Sequence, residues 1–117
     1  METILEENEA LWELFDAMSR LKGREEYALF FRDLCTMGEL TAMAERWQVA
    51  RLVAREIPYR EIHRLTGVST ATITRIAHWL RYGEGGYRLM IRRLGGIEPP
   101  QAGSKEIPHR PGPPDAR

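Results

Sequence analysis

The stretch Tyr59-Arg60-Glu61-Ile62-His63-Arg64-Leu65-Thr66-Gly67-Val68-Ser69-Thr70-Ala71-Thr72-Ile73-Thr74-Arg75-Ile76 has the spacing of a helix-turn-helix. Ile62 and Leu65, three apart, turn one side of a first helix inward. Gly67 falls where the chain must leave that helix with positive φ, which glycine does without a Cβ penalty. Val68 plugs the angle between the helices, and Ser69 or Thr70 offers the N-cap oxygen of the second. Ile73 and Ile76 pack that second helix inward. Thr70, Ala71, Thr72, Thr74 and Arg75 are then left outside.

This outer face differs from that of a merely solvated helix, which favours Glu and Lys. Small hydroxyl and methyl groups let a helix N-terminus approach base edges, and threonine offers both a hydrogen-bonding hydroxyl and a methyl for thymine. The N-terminus itself attracts phosphate. Arg60, Arg64, Arg75 and Arg81 are placed to hold the backbone on either side. An ordinary helix pair with a glycine turn would share the glycine alone; glycine, turn valine, cap and two inward isoleucines together favour double-stranded DNA as the partner.

Charge supports the same reading. The 117 residues carry no net charge, yet residues 1–45 hold eleven acids against four bases, a charge of −7. Residues 46–94 hold ten arginines against Glu56, Glu61 and Glu84, a charge of +7. A basic half joined to an acidic half points to an anionic partner for one half only.

Working outward, apolar residues from Ile4 to Leu21 recur at threes and fours, as in an amphipathic helix broken by Gly23. A second helix fits Arg24–Leu34, apolar nearly all round and therefore expected to be buried by more than one neighbour. Thr36 and Glu39 form a capping box, opening a long helix from Met37 to Glu56; Pro58 ends it or opens the next helix at a first-turn position. The helix-turn-helix gives Tyr59–Thr66 and Thr70–Tyr82, and a last helix fits Tyr87–Leu94 after the glycine-rich break 83–86. No alternating β-branched run suggests a strand. Six of the seven prolines follow residue 95, so a domain over 1–94 and a disordered tail over 95–117 are expected.

Enzymatic chemistry finds little support. His63, His78 and His109 lack metal-ligand spacing with acids or with Cys35, the one cysteine, so no metal or cofactor is expected. The acidic N-terminus is unlike a secretory signal, no run approaches the ~18 apolar residues of a membrane span, and a reducing cytoplasm fits best. The apolar surplus of the first three helices calls for burial between subunits, most simply in a two-fold homodimer.

Ala71-Thr72-Ile73-Thr74-Arg75 resembles the recognition helix of the Trp repressor family. The run from Phe30-Phe31-Arg32-Asp33-Leu34-Cys35-Thr36 through Met43-Ala44-Glu45-Arg46 to Tyr82-Gly83-Glu84-Gly85-Gly86-Tyr87 resembles its YerC/YecD-type TrpR-related branch. The likeness spans roughly residues 5–94. It implies an all-α, six-helix Trp-repressor-like subunit, an interlocked homodimer and DNA binding through the helix-turn-helix. Arg60, His63, Thr70, Ala71, Thr72 and Thr74 match that family's DNA-facing positions. Arg46 and Arg75 match the two arginines that bracket its indole corepressor. The glycine that follows the second arginine in the family is Ile76 here, and the small serine three residues on is Trp79. The resemblance thus implies a site filled by this chain's own side chains, without tryptophan as effector.

The expected function is a sequence-specific, DNA-binding transcriptional regulator, a repressor by resemblance, acting as a homodimer and not an enzyme. The alternative from another class is a protein-interaction module with a vestigial helix-turn-helix.

Overall fold

The computed structural model describes residues 7–95, and all six elements among them are α-helices. They are α1 (Glu9–Met18), α2 (Gly23–Leu34), α3 (Met37–Ala54), α4 (Tyr59–Thr66), α5 (Thr70–Tyr82) and α6 (Gly86–Arg93). The chain divides into two compact units at Thr41/Ala42. The expected disordered tail lies, from residue 96 on, outside the described residues.

In the first unit, α1 begins at Glu9; the predicted start at Ile4 lies outside the described residues. Asn8 is extended and its side-chain oxygen accepts the Leu11 N–H at 3.0 Å. An asparagine that caps in this way satisfies a first-turn donor and sets the start of the helix at the next residue. The capping box forms as predicted: Glu39 N–H donates to Thr36 Oγ1 at 3.0 Å, and Thr36 N–H donates to Glu39 Oε1 at 2.8 Å. Neither α1 nor α2 contains a buried residue. The burial expected for α2 is absent within the single chain: Leu29 is 70% exposed, and Tyr27 and Leu34 are also exposed.

The second unit holds the core. Val49, Ala50, Leu52, Val53, Ala54 and Ile57 meet Ile62, Ile73, Ile76, Ala77, Leu80 and Ile91, with no buried polar residue among those described. At about 1.5–3 kcal/mol for each fully buried large aliphatic side chain, this cluster is what fixes α4 and α5.

The end of α3 falls two residues short of the predicted Glu56. Glu56 N–H donates to Val53 O at 2.8 Å and Ile57 N–H to Leu52 O at 3.1 Å, with Glu56 at φ 66°. These are the paired bonds of a Schellman ending, with Glu56 in the left-handed position that usually falls to glycine. Ile57 and Leu52, which such an ending brings together, are both in the core. Of the two places open to Pro58, the structure shows the start of the next helix, at the N-cap of α4.

Candidate nucleic-acid interface

The turn between α4 and α5 is tied by three residues. Gly67, at φ 78° and ψ −3°, ends α4 and donates its N–H to His63 O at 2.8 Å. The Thr66 hydroxyl donates to Ile62 O at 2.8 Å and accepts the Val68 N–H at 3.1 Å. His63 Nδ1 lies 2.8 Å from Val68 O. Val68 packs partly buried against the core, as its place in the turn predicts.

Helix α5 then presents two faces. Ile73, Ile76, Ala77 and Leu80 are buried; Thr70, Ala71, Thr74, Arg75 and His78 form a continuous exposed strip. The strip follows the i, i+4 geometry of one helix face. Its N-terminal half contains no acid, so nothing there opposes the positive end of the helix dipole.

The predicted site residues are not equivalent. Thr70, Ala71 and Thr74 stand exposed at the start of α5. Thr72 is half-buried: its N–H donates to Ser69 Oγ at 3.2 Å, and its hydroxyl accepts from the Ser69 hydroxyl at 3.1 Å. It therefore completes the cap as well as bordering the reading face. Arg60 and His63 are exposed on α4. Arg64 is exposed but engaged: its guanidinium makes a forked pair with Glu61, Nε–Oε1 being 3.1 Å and Nη2 meeting Oε2. The Arg64 hydrogen bond holds the Glu61 carboxyl below its ordinary range. Arg81 sits at the far end of α5, half-buried, its Nε without a hydrogen-bond partner.

A cavity of about 260 Å³ opens beside the helix-turn-helix, lined by Arg46, Val68, Thr72, Arg75, Ile76 and Trp79 with Ala42 and Glu45. Ile76 and Trp79, expected to fill this space, both line it. Ile76 follows Ile73 by three on the inward face and spends its side chain on the core, 1% exposed. Trp79 stands on the rim at 45% exposed. Arg46 and Arg75 both line this cavity.

Sequence reasoning missed a second, open groove of about 800 Å³, bordered by Trp47, Trp79, Tyr82, Tyr87, Met90 and the glycine-rich hinge. Trp47 and Tyr87 stack with centroids 6.2 Å apart. Burial pushes the Tyr87 hydroxyl above its ordinary pKa, with the nearby Arg46 charge acting the other way. At the hinge, a Cβ on Gly83 would stand 2.5 Å from Trp79 O, so the chain can turn there only with glycine. Arg88 of α6 donates to Leu80 O at 3.2 Å and to Arg81 O, occupying the last carbonyls of α5. The aromatic spacing across residues 47, 79, 82 and 87 was the available signal, but it joins three helices and a hinge. No group of three His, Cys, Asp or Glu suited to a metal occurs among the described residues. None of the described helices is long and apolar enough to cross a membrane.

Comparison with known proteins agrees with this geometry. The family model described as "Trp repressor protein" matches residues 9–95. The chain is 40% identical over 82 residues to the uncharacterized protein YerC of Bacillus subtilis (strain 168), covering 70% of this chain and 79% of that one. It is 32% identical over 91 residues to a Trp operon repressor homolog of Chlamydia caviae, covering 76% and 90% respectively. A solved TrpR-like protein from Eubacterium eligens superposes with a TM-score of 0.77 at 37% identity, over 83% of this chain and 99% of that one. With its six helices, its glycine-turned helix pair and a family match across nearly every described residue, the chain belongs to the Trp repressor family of DNA-binding transcription regulators.

Proposed function

We propose that the protein is a sequence-specific transcriptional repressor that binds duplex DNA as a homodimer. The observation that carries this reading is the strip Thr70, Ala71, Thr74 and Arg75, exposed on a helix whose opposite face is locked into the core. Thr70, Ala71 and Thr74 read base edges in the major groove, with Thr72 setting the cap from which they project. Arg60 holds phosphate directly, and Arg64 does so by exchanging Glu61 for the backbone. Dimerisation is supported by the first unit, whose helices fully bury no residue within one chain while exposing Trp12, Phe15, Tyr27, Leu29 and Leu34. A second subunit supplies the missing apolar cover and a second reading helix for a two-fold operator.

Enrichment of random duplexes with the purified dimer tests this. Thr74→Ala should change which base is selected at one position, at a cost of about 1–3 kcal/mol. Arg60→Ala should weaken all duplexes alike and lower the salt slope by about 0.9. No enriched sequence, or no effect from either change, overturns the reading. Free tryptophan should leave affinity unchanged, because Ile76 and Trp79 line the cavity beside the helix-turn-helix where the family resemblance gives a glycine and a small serine. Saturable tryptophan binding in calorimetry would count against this last point.

A further inference from the structure

His63 closes the turn of the helix-turn-helix through its ring. Nδ1 is 2.8 Å from the Val68 carbonyl oxygen, and a carbonyl only accepts, so Nδ1 carries the proton. In the neutral ring Nε2 is therefore a bare acceptor. His63 is exposed, one turn beyond Arg60 on the surface assigned to phosphate. A phosphate oxygen also only accepts, so a neutral His63 has nothing to offer it. Addition of a proton turns Nε2 into a charged donor without disturbing the bond to Val68. We propose that His63 makes DNA binding sensitive to pH: the ring takes up a proton as the duplex docks and contacts a backbone phosphate through Nε2.

The proposal rests on the DNA-binding reading above. The groups around the ring set its sign. On α4 the ionisable neighbours are Tyr59, Arg60, Glu61 and Arg64, and Glu61 is engaged with Arg64. Helix α5, packed against α4, contributes Arg75, His78, Arg81 and Tyr82 and no carboxylate. Helix α3, sharing the core with Ile62, carries Glu45, Arg46, Arg51 and Arg55 in this unit. A docked phosphate favours the charged ring. Docking therefore raises proton affinity, and the added binding strength is present at low pH and lost as pH rises across the range where imidazoles titrate, ~5 to 8.

Two measurements on the 117-residue chain decide it. In long-range proton–nitrogen correlation spectra of the free protein, the neutral His63 ring should show Nδ1 protonated and Nε2 bare; the opposite tautomer overturns the proposal without reference to DNA. In anisotropy titrations of an enriched duplex at constant ionic strength, affinity should fall from pH 5.5 to 8, by up to tenfold per unit. His63→Gln should be flat at the weak end and His63→Lys flat at the tight end, while His78→Gln and His109→Gln keep the wild-type profile. A flat wild-type profile, or one that survives His63→Gln, overturns the role of His63 while leaving the DNA reading intact. Failure to bind any duplex at any pH defeats the DNA reading itself, and the proposal with it.

Discussion

In residues 42–95, twelve apolar side chains are buried around Ile62, Ile73 and Leu52. In residues 7–41, α1 and α2 bury none, although they carry Trp12, Phe15, Tyr27, Phe30 and Phe31. Local chemistry does not explain the contrast, because both halves have well-formed caps and ordinary helix lengths. What differs is where the apolar surface finds its cover. The second unit supplies its own, which is what a rigid platform for a reading helix requires. The first unit holds aromatic surface in excess of its own means, and only another surface can cover it. Charge divides the same way, with the basic half being the one that has the core.

The comparison breaks most sharply at one leucine in each half. Leu52, 1% exposed, should lose about 2–5 kcal/mol on change to alanine, measured by chemical unfolding, because a cavity is left in a packed interior. Leu29, 70% exposed in the single chain, would lose less than about 0.5 kcal/mol as a surface residue. If α2 is covered by a second subunit, Leu29→Ala should instead raise the dimer dissociation constant, at roughly tenfold per 1.4 kcal/mol. Sedimentation across protein concentrations reads the difference. A stable monomer with an unperturbed Leu29→Ala variant would end the dimer argument.

Caps sharpen the comparison from the opposite side. Thr36 opens α3 in the first unit and Ser69 opens α5 in the second, each accepting a backbone N–H at 3.0 and 3.2 Å. Replacing either hydroxyl residue with alanine should cost a similar ~1 kcal/mol, because capping is satisfied within one turn. A much larger loss for Ser69→Ala would mean that its bond to the Thr72 hydroxyl also fixes the interface.

How much of this was legible in the sequence follows the same distinction between local and distant causes. Helices α4 and α5 have the predicted bounds because Pro58, Gly67, Ser69 and Gly83 each act on their immediate neighbours. The inward and outward faces of α5 were legible for the same reason. The Asn8 cap of α1 was not, because apolar periodicity runs through that residue while its side chain claims the first-turn N–H. Nor was the end of α3, where a glutamate takes a left-handed conformation. At the site, residue types were legible but engagements were not. Thr72 serving the cap, Arg64 held by Glu61 and His63 bonded to Val68 depend on side-chain rotamers that spacing does not specify.

The left-handed glutamate makes a smaller prediction. Glu56 at φ 66° carries a Cβ against the following carbonyl, a cost of about 1–2 kcal/mol that glycine lacks. Glycine also has more freedom to lose on folding, so the net gain is smaller. Glu56→Gly should raise stability by about 0.5–1 kcal/mol and leave DNA selection unchanged. A loss of stability would show that the Glu56 side chain contributes contacts outweighing its backbone strain.

The smallest effect on stability concerns the pair Glu61–Arg64, solvent-accessible on both sides and worth little to the fold. Its importance is to the interface, because it occupies the guanidinium assigned to phosphate. Arg64 holds the Glu61 carboxyl below its ordinary range, so the stability it brings is present above that range and fades only as pH falls through it. Between pH 5.5 and 8 the pair is intact and adds nothing to the pH dependence assigned to His63. Glu61→Gln removes the competitor and one negative charge from the phosphate-facing helix. The thermal unfolding midpoint should then barely move, because solvent screens the pair. Affinity should rise for every duplex alike, and the salt slope should steepen by up to about 0.9 as Arg64 takes a full phosphate. Unchanged affinity with an unchanged slope would show that Arg64 never reaches the backbone, leaving Arg60 as the anchor on α4. A gain confined to one sequence would place Arg64 at a base edge.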